Sequence, residues 1–211
     1  MRKEPFRKTD RRTLYTKMVI KDALLELMEE HSFDKITVTA ICKTAEITRA
    51  TFYLHFNDLT AVVDELLVEA LELAGETVEK SNEDMLQALR LLANGKRDPG
   101  KLKNYDALLP VCQRVADLPK YRVLFLDESL SGYIIKTMSQ SEKKKMIPLL
   151  MQNCHLNAQE AEALFMFVVY GSFIVNKRLG WEKNKAWYET HGILLRFILG
   201  GIDALQYTEE N

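Results

Sequence analysis

An all-helical chain is the fold class this sequence predicts, and three observations carry the prediction. Apolar residues recur at three- and four-residue spacings along most of the 211 residues, and period-two strand patterns are few. Only nine Gly and five Pro interrupt them, while hydrophobic residues make up 47% of the chain, enough for a substantial core. Residues 36–58, ITVTAICKTAEITRATFYLHFND, read as two short helices joined by a tight turn. The expected architecture is all-α: a three-helix head over residues 1–57, built around a helix-turn-helix, joined to a helical body over residues 58–211.

The first helix is expected over about residues 10–30, where Ile20, Leu24, Leu27 and Met28 fall at helical spacing, and Phe33 closes the head. Thr37 is the expected N-cap of the second helix and Thr48 of the third, because a Thr oxygen can accept from a free amide in the first turn. Ile36 with Ile41, and Ile47 with Phe52, have the spacing of hydrophobic staples. Ala40 and Thr51 stand where a capping box would need Glu or Gln. Phe52 and Phe56, four apart, are expected to pack inward on Val38, Ile41 and Ala45. That leaves Arg49, Ala50, Thr51, Tyr53, Leu54 and His55 on the outside or flanks. A long donor, small residues, a phenol and an imidazole suit a surface that reads base edges and grips phosphates. On spacing alone, an ordinary helical hairpin fits equally well.

Asn57 or Asp58 can cap a fourth helix running to about residue 80, a stiff connection through which a shift in the body would move the third helix as a lever. Helical patterns follow over residues 82–94, through Met85, Leu86, Leu89 and Leu92, and over 105–116, with a loop at 94–100 between them. A break near Pro119 precedes a segment over 121–140, and Pro148 either starts or interrupts a helix near 143–153. Asn157 or Ala158 opens a helix to about Leu179 that is apolar almost all round, and a last helix spans about 185–205 with Tyr188 and His191 in its first turns. A helix this apolar must be covered on most of its surface. The expected cover is partly a second copy of the chain, through Leu164, Val168, Gly171 and Val175 with Leu195, Ile198 and Ile202. The core of a monomer is the alternative.

The 36–58 segment resembles the DNA-binding domain of the TetR family of bacterial transcription regulators. The resemblance lies in Ile36-Thr37-Val38, Ile41-Cys42, Ala45, Ile47-Thr48, Ala50-Thr51-Phe52-Tyr53 and His55-Phe56, and it spans about a quarter of the chain. It implies base-reading positions for Arg49, Ala50, Thr51 and Leu54, and phosphate-gripping positions for Thr37, Tyr53 and His55. It also implies a homodimer held by the last two helices, and repression of a palindromic operator that a small-molecule effector releases. Two residues depart from the family pattern. Glu46 stands where a turn Gly is usual, so the turn must tolerate a Cβ at positive φ. Leu59 stands where a phosphate-binding Lys is often found.

The net charge is −1, but residues 1–21 carry eight basic groups against Glu4 and Asp10, a net of +6. Such an arm, with Arg11 and Arg12 nearest the head, suits duplex phosphates or a minor groove, and a solvated, frayed terminus is the alternative. No secretory signal is evident, and the nearest membrane candidate, 163–175, is too short, so no membrane span is expected. Cys42, Cys112 and Cys154 are odd in number and widely spaced, which suits reduced thiols in a cytoplasmic protein.

In the body, Tyr105, Cys112, Phe125, Tyr133, Phe167 and Tyr170 are candidates to line an effector cavity, with plain core the competing reading for each. The four histidines show no zinc spacing, and no P-loop, dinucleotide fingerprint or nucleophile elbow occurs, so no metal, cofactor or enzymatic activity is expected. Asp127 and Glu128 are adjacent acids that point about 100° apart on a helix, a poor acid–base pair. The expected function is a DNA-binding transcriptional regulator, with double-stranded DNA and a second copy of itself as partners. A co-regulator or activator whose body binds a protein is the alternative.

Overall fold

The computed structural model describes residues 8–75 and 111–206, and every regular element among them is helical. In chain order these are α1 (Lys8–Glu30), a 3-10 turn (Phe33–Lys35), α2 (Val38–Thr44), α3 (Arg49–His55) and α4 (Leu59–Gly75). After the gap follow α5 (Val111–Ala116), α6 (Arg122–Leu126), α7 (Ser131–Cys154), α8 (Ala158–Arg178) and α9 (Lys185–Gln206). The helical pattern expected over 82–94, the loop at 94–100 and Tyr105 lie outside the described residues.

Two compact units emerge. The first holds α1 to α4 as far as Glu72, together with Leu118–Ser131; the second runs from Leu73 through α5 and from Gly132 through α9. The expected division at 57/58 falls inside the first unit. There α4 buries Val62, Val63, Leu66 and Leu67 completely. Lys17 pairs with Glu65, and Lys21 with Glu69 and Glu65, so that charge as well as apolar area holds α4 to α1. Along α1, Ile20, Leu24 and Met28 are buried at four-residue spacing, as the periodicity predicts. Asp58 caps α4 by accepting from the Ala61 amide at 2.8 Å.

The stretch predicted as one segment over 121–140 is two helices. Asp127 ends α6 in extended backbone, and its carboxylate closes the turn into α7. Oδ1 accepts from the Ser129 hydroxyl at 2.6 Å and the Leu130 amide at 3.1 Å, and Oδ2 accepts from the Phe33 amide at 2.8 Å. Burial pushes this carboxyl up, but the bonds from Ser129, Phe33, Leu130 and Ser32 outweigh it and hold it below the usual carboxylate range. Pro148 neither starts nor ends a helix, since α7 continues through it. The carbonyl that loses its donor belongs to Lys144, and both residues are exposed, so water can take the vacant bond.

The N-terminus of α8 resolves to Asn157. It accepts from the Gln159 and Glu160 amides at 3.0 and 3.1 Å, while Glu160 accepts from the Asn157 amide at 2.9 Å, a complete capping box. Between α8 and α9, Gly180 and Trp181 adopt left-handed φ of 65° and 57°. A non-glycine residue pays about 1–2 kcal/mol for that conformation, and burial of the Trp181 indole to 2% exposure, edge-on to Phe173 at 5.1 Å, offsets it.

The second unit is organised around a buried polar cluster. The Trp187 indole N–H donates to both Asn176 Oδ1 at 2.8 Å and Gln113 Oε1 at 3.1 Å, tying α9 to α8 and α5. Gln113 in turn donates to Asp117 at 2.8 Å. Burial pushes the Cys112 thiol up to about 12, so it stays protonated and unreactive. His191 stacks on Trp187 at 3.8 Å and bonds the Trp187 carbonyl through Nδ1 at 3.1 Å. A carbonyl only accepts, so Nδ1 carries the proton and Nε2 is a buried acceptor with no partner among the described residues.

Burial therefore holds the His191 pKa below 6.5, with the Trp187 carbonyl opposing. The unfolded chain takes up this proton near 6.5 and the folded chain only at lower pH. The contribution is thus complete above 6.5 and is lost as pH falls below it. Melting followed from about pH 7.5 to about pH 5.5 should show a smaller acid loss in His191→Phe, which keeps the stack, than in the wild type. Parallel curves would contradict the assignment.

Candidate nucleic-acid interface

Three local features position α3. At its start, Thr48 Oγ1 accepts from the Thr51 amide at 3.1 Å and lies 2.9 Å from the Thr51 hydroxyl. On its inner face, Phe52 and Phe56 are 0% and 3% exposed, their rings 6.1 Å apart. Before it, the turn from α2 is closed by Ile47 donating to the Cys42 carbonyl at 2.9 Å, with Glu46 in left-handed backbone at φ 51°. The predicted positive φ is thus present on a residue with a Cβ. Thr37 caps α2 in the same way as Thr48 caps α3, accepting from the Ala40 amide at 3.2 Å. Both staple pairs point inward, with Ile36 and Ile41 at 7% and 0% exposure and Ile47 half-buried beside a fully buried Phe52.

With the apolar face fixed, the opposite face is presented to solvent. Leu54 is 79% exposed and Tyr53 49%; Arg49 and Ala50 are exposed, and Thr51 and His55 are half-buried on the flanks. The Arg49 guanidinium lies 3.5 Å from the Tyr53 hydroxyl and 5.9 Å from its ring centroid, and 3.5 Å from Thr39 Oγ1 on α2. These two long bonds, donated by Nη1 and Nη2, lay the guanidinium between Tyr53 of α3 and Thr39 of α2 and use only part of its five N–H donors. Thr39 was not singled out by sequence reasoning. Its place two residues into α2, ten before Arg49, becomes informative only once the turn angle between the helices is known.

The basic arm divides. Lys17 and Lys21 are engaged with Glu65 and Glu69, and Lys17 also lies 5.3 Å over the Phe56 ring, so they serve the head's interior packing. Arg11 and Arg12 are exposed at the start of α1. The arm's outermost bases, Arg2, Lys3 and Arg7, lie outside the described residues.

A family model for bacterial regulatory proteins of the tetR family matches residues 20–66, which takes in α2, the turn and α3. Residues 20–66 thus carry a TetR-type DNA-binding domain, which supports a helix-turn-helix transcriptional regulator, and every regular element among the described residues is helical. No curated protein matches the chain. The TetR match ends within α4, so the body stands on its own geometry.

In the body, the cavity candidates separate. Cys112 is buried beside the Asn176 amide, and Tyr133 and Tyr170 are half-buried in the same unit. Phe125 is 1% exposed but belongs to the TetR-type head unit through α6. Phe167 is 64% exposed on α8, so it lines no cavity within its unit. Sequence periodicity could not place it, because α8 is apolar on nearly every side.

The same ambiguity affects the expected interface. Leu164, Val168, Val175, Leu195, Ile198 and Ile202 are half-buried and Gly171 is exposed. The outermost apolar residues are instead Phe167 and Ile174 on α8, and Ile193 and Phe197 on α9, each 59–66% exposed. A Cβ added at Gly171, Gly200 or Gly201 would meet nothing within 4 Å. On length and composition α8 is long and apolar enough to cross a membrane, which corrects the shorter run read from sequence. The uninterrupted apolar run is short, but the helix extends it at both ends. One such helix is weak evidence of a span, because helices of soluble proteins pass the same test.

Glu46→Gly relieves a left-handed strain of about 1–2 kcal/mol at some cost in unfolded-chain entropy. The head should melt roughly 1–3 °C higher in this variant, measured by circular dichroism. A lower midpoint would mean that the Glu46 side chain itself stabilises the turn.

Proposed function

We propose that two copies of the chain bind a palindromic operator and repress transcription, and that a small-molecule effector bound by the body releases them. The observation that carries the reading is the outer face of α3. Arg49, Ala50, Thr51 and Leu54 meet base edges, while Thr48, Tyr53 and His55 reach phosphates from the same short helix and its cap, and Thr37 does so from the cap of α2. The Arg49 fork suits bidentate recognition of a guanine, and the Leu54 and Ala50 side chains suit contact with a thymine methyl. Arg11 and Arg12 extend the contact along the backbone or into the minor groove.

The dimer reading draws on the apolar faces of α8 and α9. Phe167, Ile174, Ile193 and Phe197 are unusually exposed for residues of their type, and a second copy of the same pair of helices is a self-complementary cover. Two-fold pairing sets two α3 helices against successive major grooves. The cover also accounts for the apolar length of α8 without a bilayer, in keeping with a cytoplasmic regulator acting at the chromosome. Residues 1–57 carry the recognition surface, and residues 58–211 the assembly and effector-sensing surfaces. An effector that favours the wrong spacing of the two heads lowers DNA affinity by linkage.

Selection from random duplex DNA with the purified protein tests this most broadly. The expected product is an inverted repeat whose half-sites lie about one helical turn, 10–10.5 base pairs, or a multiple of that apart. Enrichment of a single unrepeated site, or of none at low salt, would contradict it.

A further inference from the structure

Asp127 is remote from α3 in sequence, yet its carboxylate grips the turn that leads into α2. The Phe33 amide donates to Oδ2 at 2.8 Å, and that amide opens the 3-10 turn whose last residue is followed by Ile36 and the α2 cap, Thr37. The other oxygen is occupied within its own loop by Ser129 and Leu130, and the Ser131 hydroxyl donates to the Asp127 carbonyl at 3.2 Å. Both oxygens and the backbone are therefore committed, and the loop has one arrangement in which all these donors are satisfied.

The segment that carries Asp127 is itself anchored on the head. Leu124, Phe125 and Leu130 are buried at 0–3% exposure, and Lys120 pairs with Asp22 of α1 at 2.9 Å. Its ends run covalently into α5 and α7 of the body. The chain thus enters the head unit twice, once along α4 and once through residues 118–131.

We propose that Asp127 is a positioning residue for DNA recognition: by holding the Phe33 amide it fixes the turn before α2, from a segment that is separate in sequence from α4 and joins α5 to α7. This rests on the DNA-binding reading above and adds to it a named positioning residue. The carboxylate is suited to the task because it accepts on two sides at once. An Asn in its place has one oxygen and would turn its NH2 toward a donor. Loss of the grip leaves α1 and the body folded but lets the turn sample other arrangements, which DNA must then order on binding.

The test compares Asp127→Asn with Leu130→Ala, a cavity variant in the same segment that leaves the Phe33 bond in place. Phe33 amide exchange and affinity for the duplex selected by the wild-type protein are measured together with melting temperature. Asp127→Asn should exchange the Phe33 amide roughly tenfold faster than wild type. It should also bind the duplex about fivefold or more weakly than Leu130→Ala, despite melting at the same temperature or higher. Unchanged Phe33 exchange, or an affinity equal to that of Leu130→Ala, would overturn the proposal, because a merely structural role would track stability alone. Wild-type protein that bound no duplex would defeat the DNA-binding reading and this role with it. Wild-type binding matched by Asp127→Asn would defeat this role alone.

Discussion

Burial of Phe52 and Phe56 on one side of a seven-residue helix is the constraint from which the head's chemistry follows. An isolated helix of two turns is not stable in water, so α3 exists only because its apolar side is held. Each buried ring contributes about 1.5–3 kcal/mol, and the Thr48 cap adds about 1 kcal/mol while fixing where the helix begins. Those two terms set the rotation of α3 about its axis as well as its existence. Arg49, Tyr53 and Leu54 face outward because Phe52 and Phe56 cannot.

The rest of the head supports that rotation from several directions. Ion pairs between α1 and α4 place Lys17 over the Phe56 ring, so the cation that secures the helices also covers the anchor of α3. The Asp127 carboxylate holds the approach to α2 by accepting from the Phe33 amide. Stability and the presentation of α3 are therefore coupled: groups away from its outer face decide where Arg49, Tyr53 and Leu54 stand. In the body, a similar economy operates around Trp187, whose single N–H is shared between Asn176 and Gln113 and locks three helices at one point.

Local rules made the head legible. Caps, staples and a four-residue aromatic spacing are all properties of short sequence windows, and Thr37, Thr48, Phe52, Phe56 and the strained Glu46 stand where those rules put them. What escaped was set by partners far away in the chain. Asp127 looked like half of an idle acidic pair because its donor, Phe33, is 94 residues distant. Lys17 and Lys21 counted toward a free basic arm because Glu65 and Glu69, 48 residues on, were not visible as their counter-ions. In α8, apolar residues occupy every side, so periodicity could not separate Phe167, exposed, from Phe165, buried. Pro148 failed as a helix breaker because its cost falls on an exposed turn.

A carboxylate placed on the outer face of α3 tests the central claim most directly. Leu54 is 79% exposed, so Leu54→Asp should leave the melting temperature unchanged. With α3 in the major groove as proposed, the added carboxylate should weaken binding to the selected duplex by at least about a hundredfold. Equal affinity for the two proteins would mean that α3 does not enter the groove, and the account would fail.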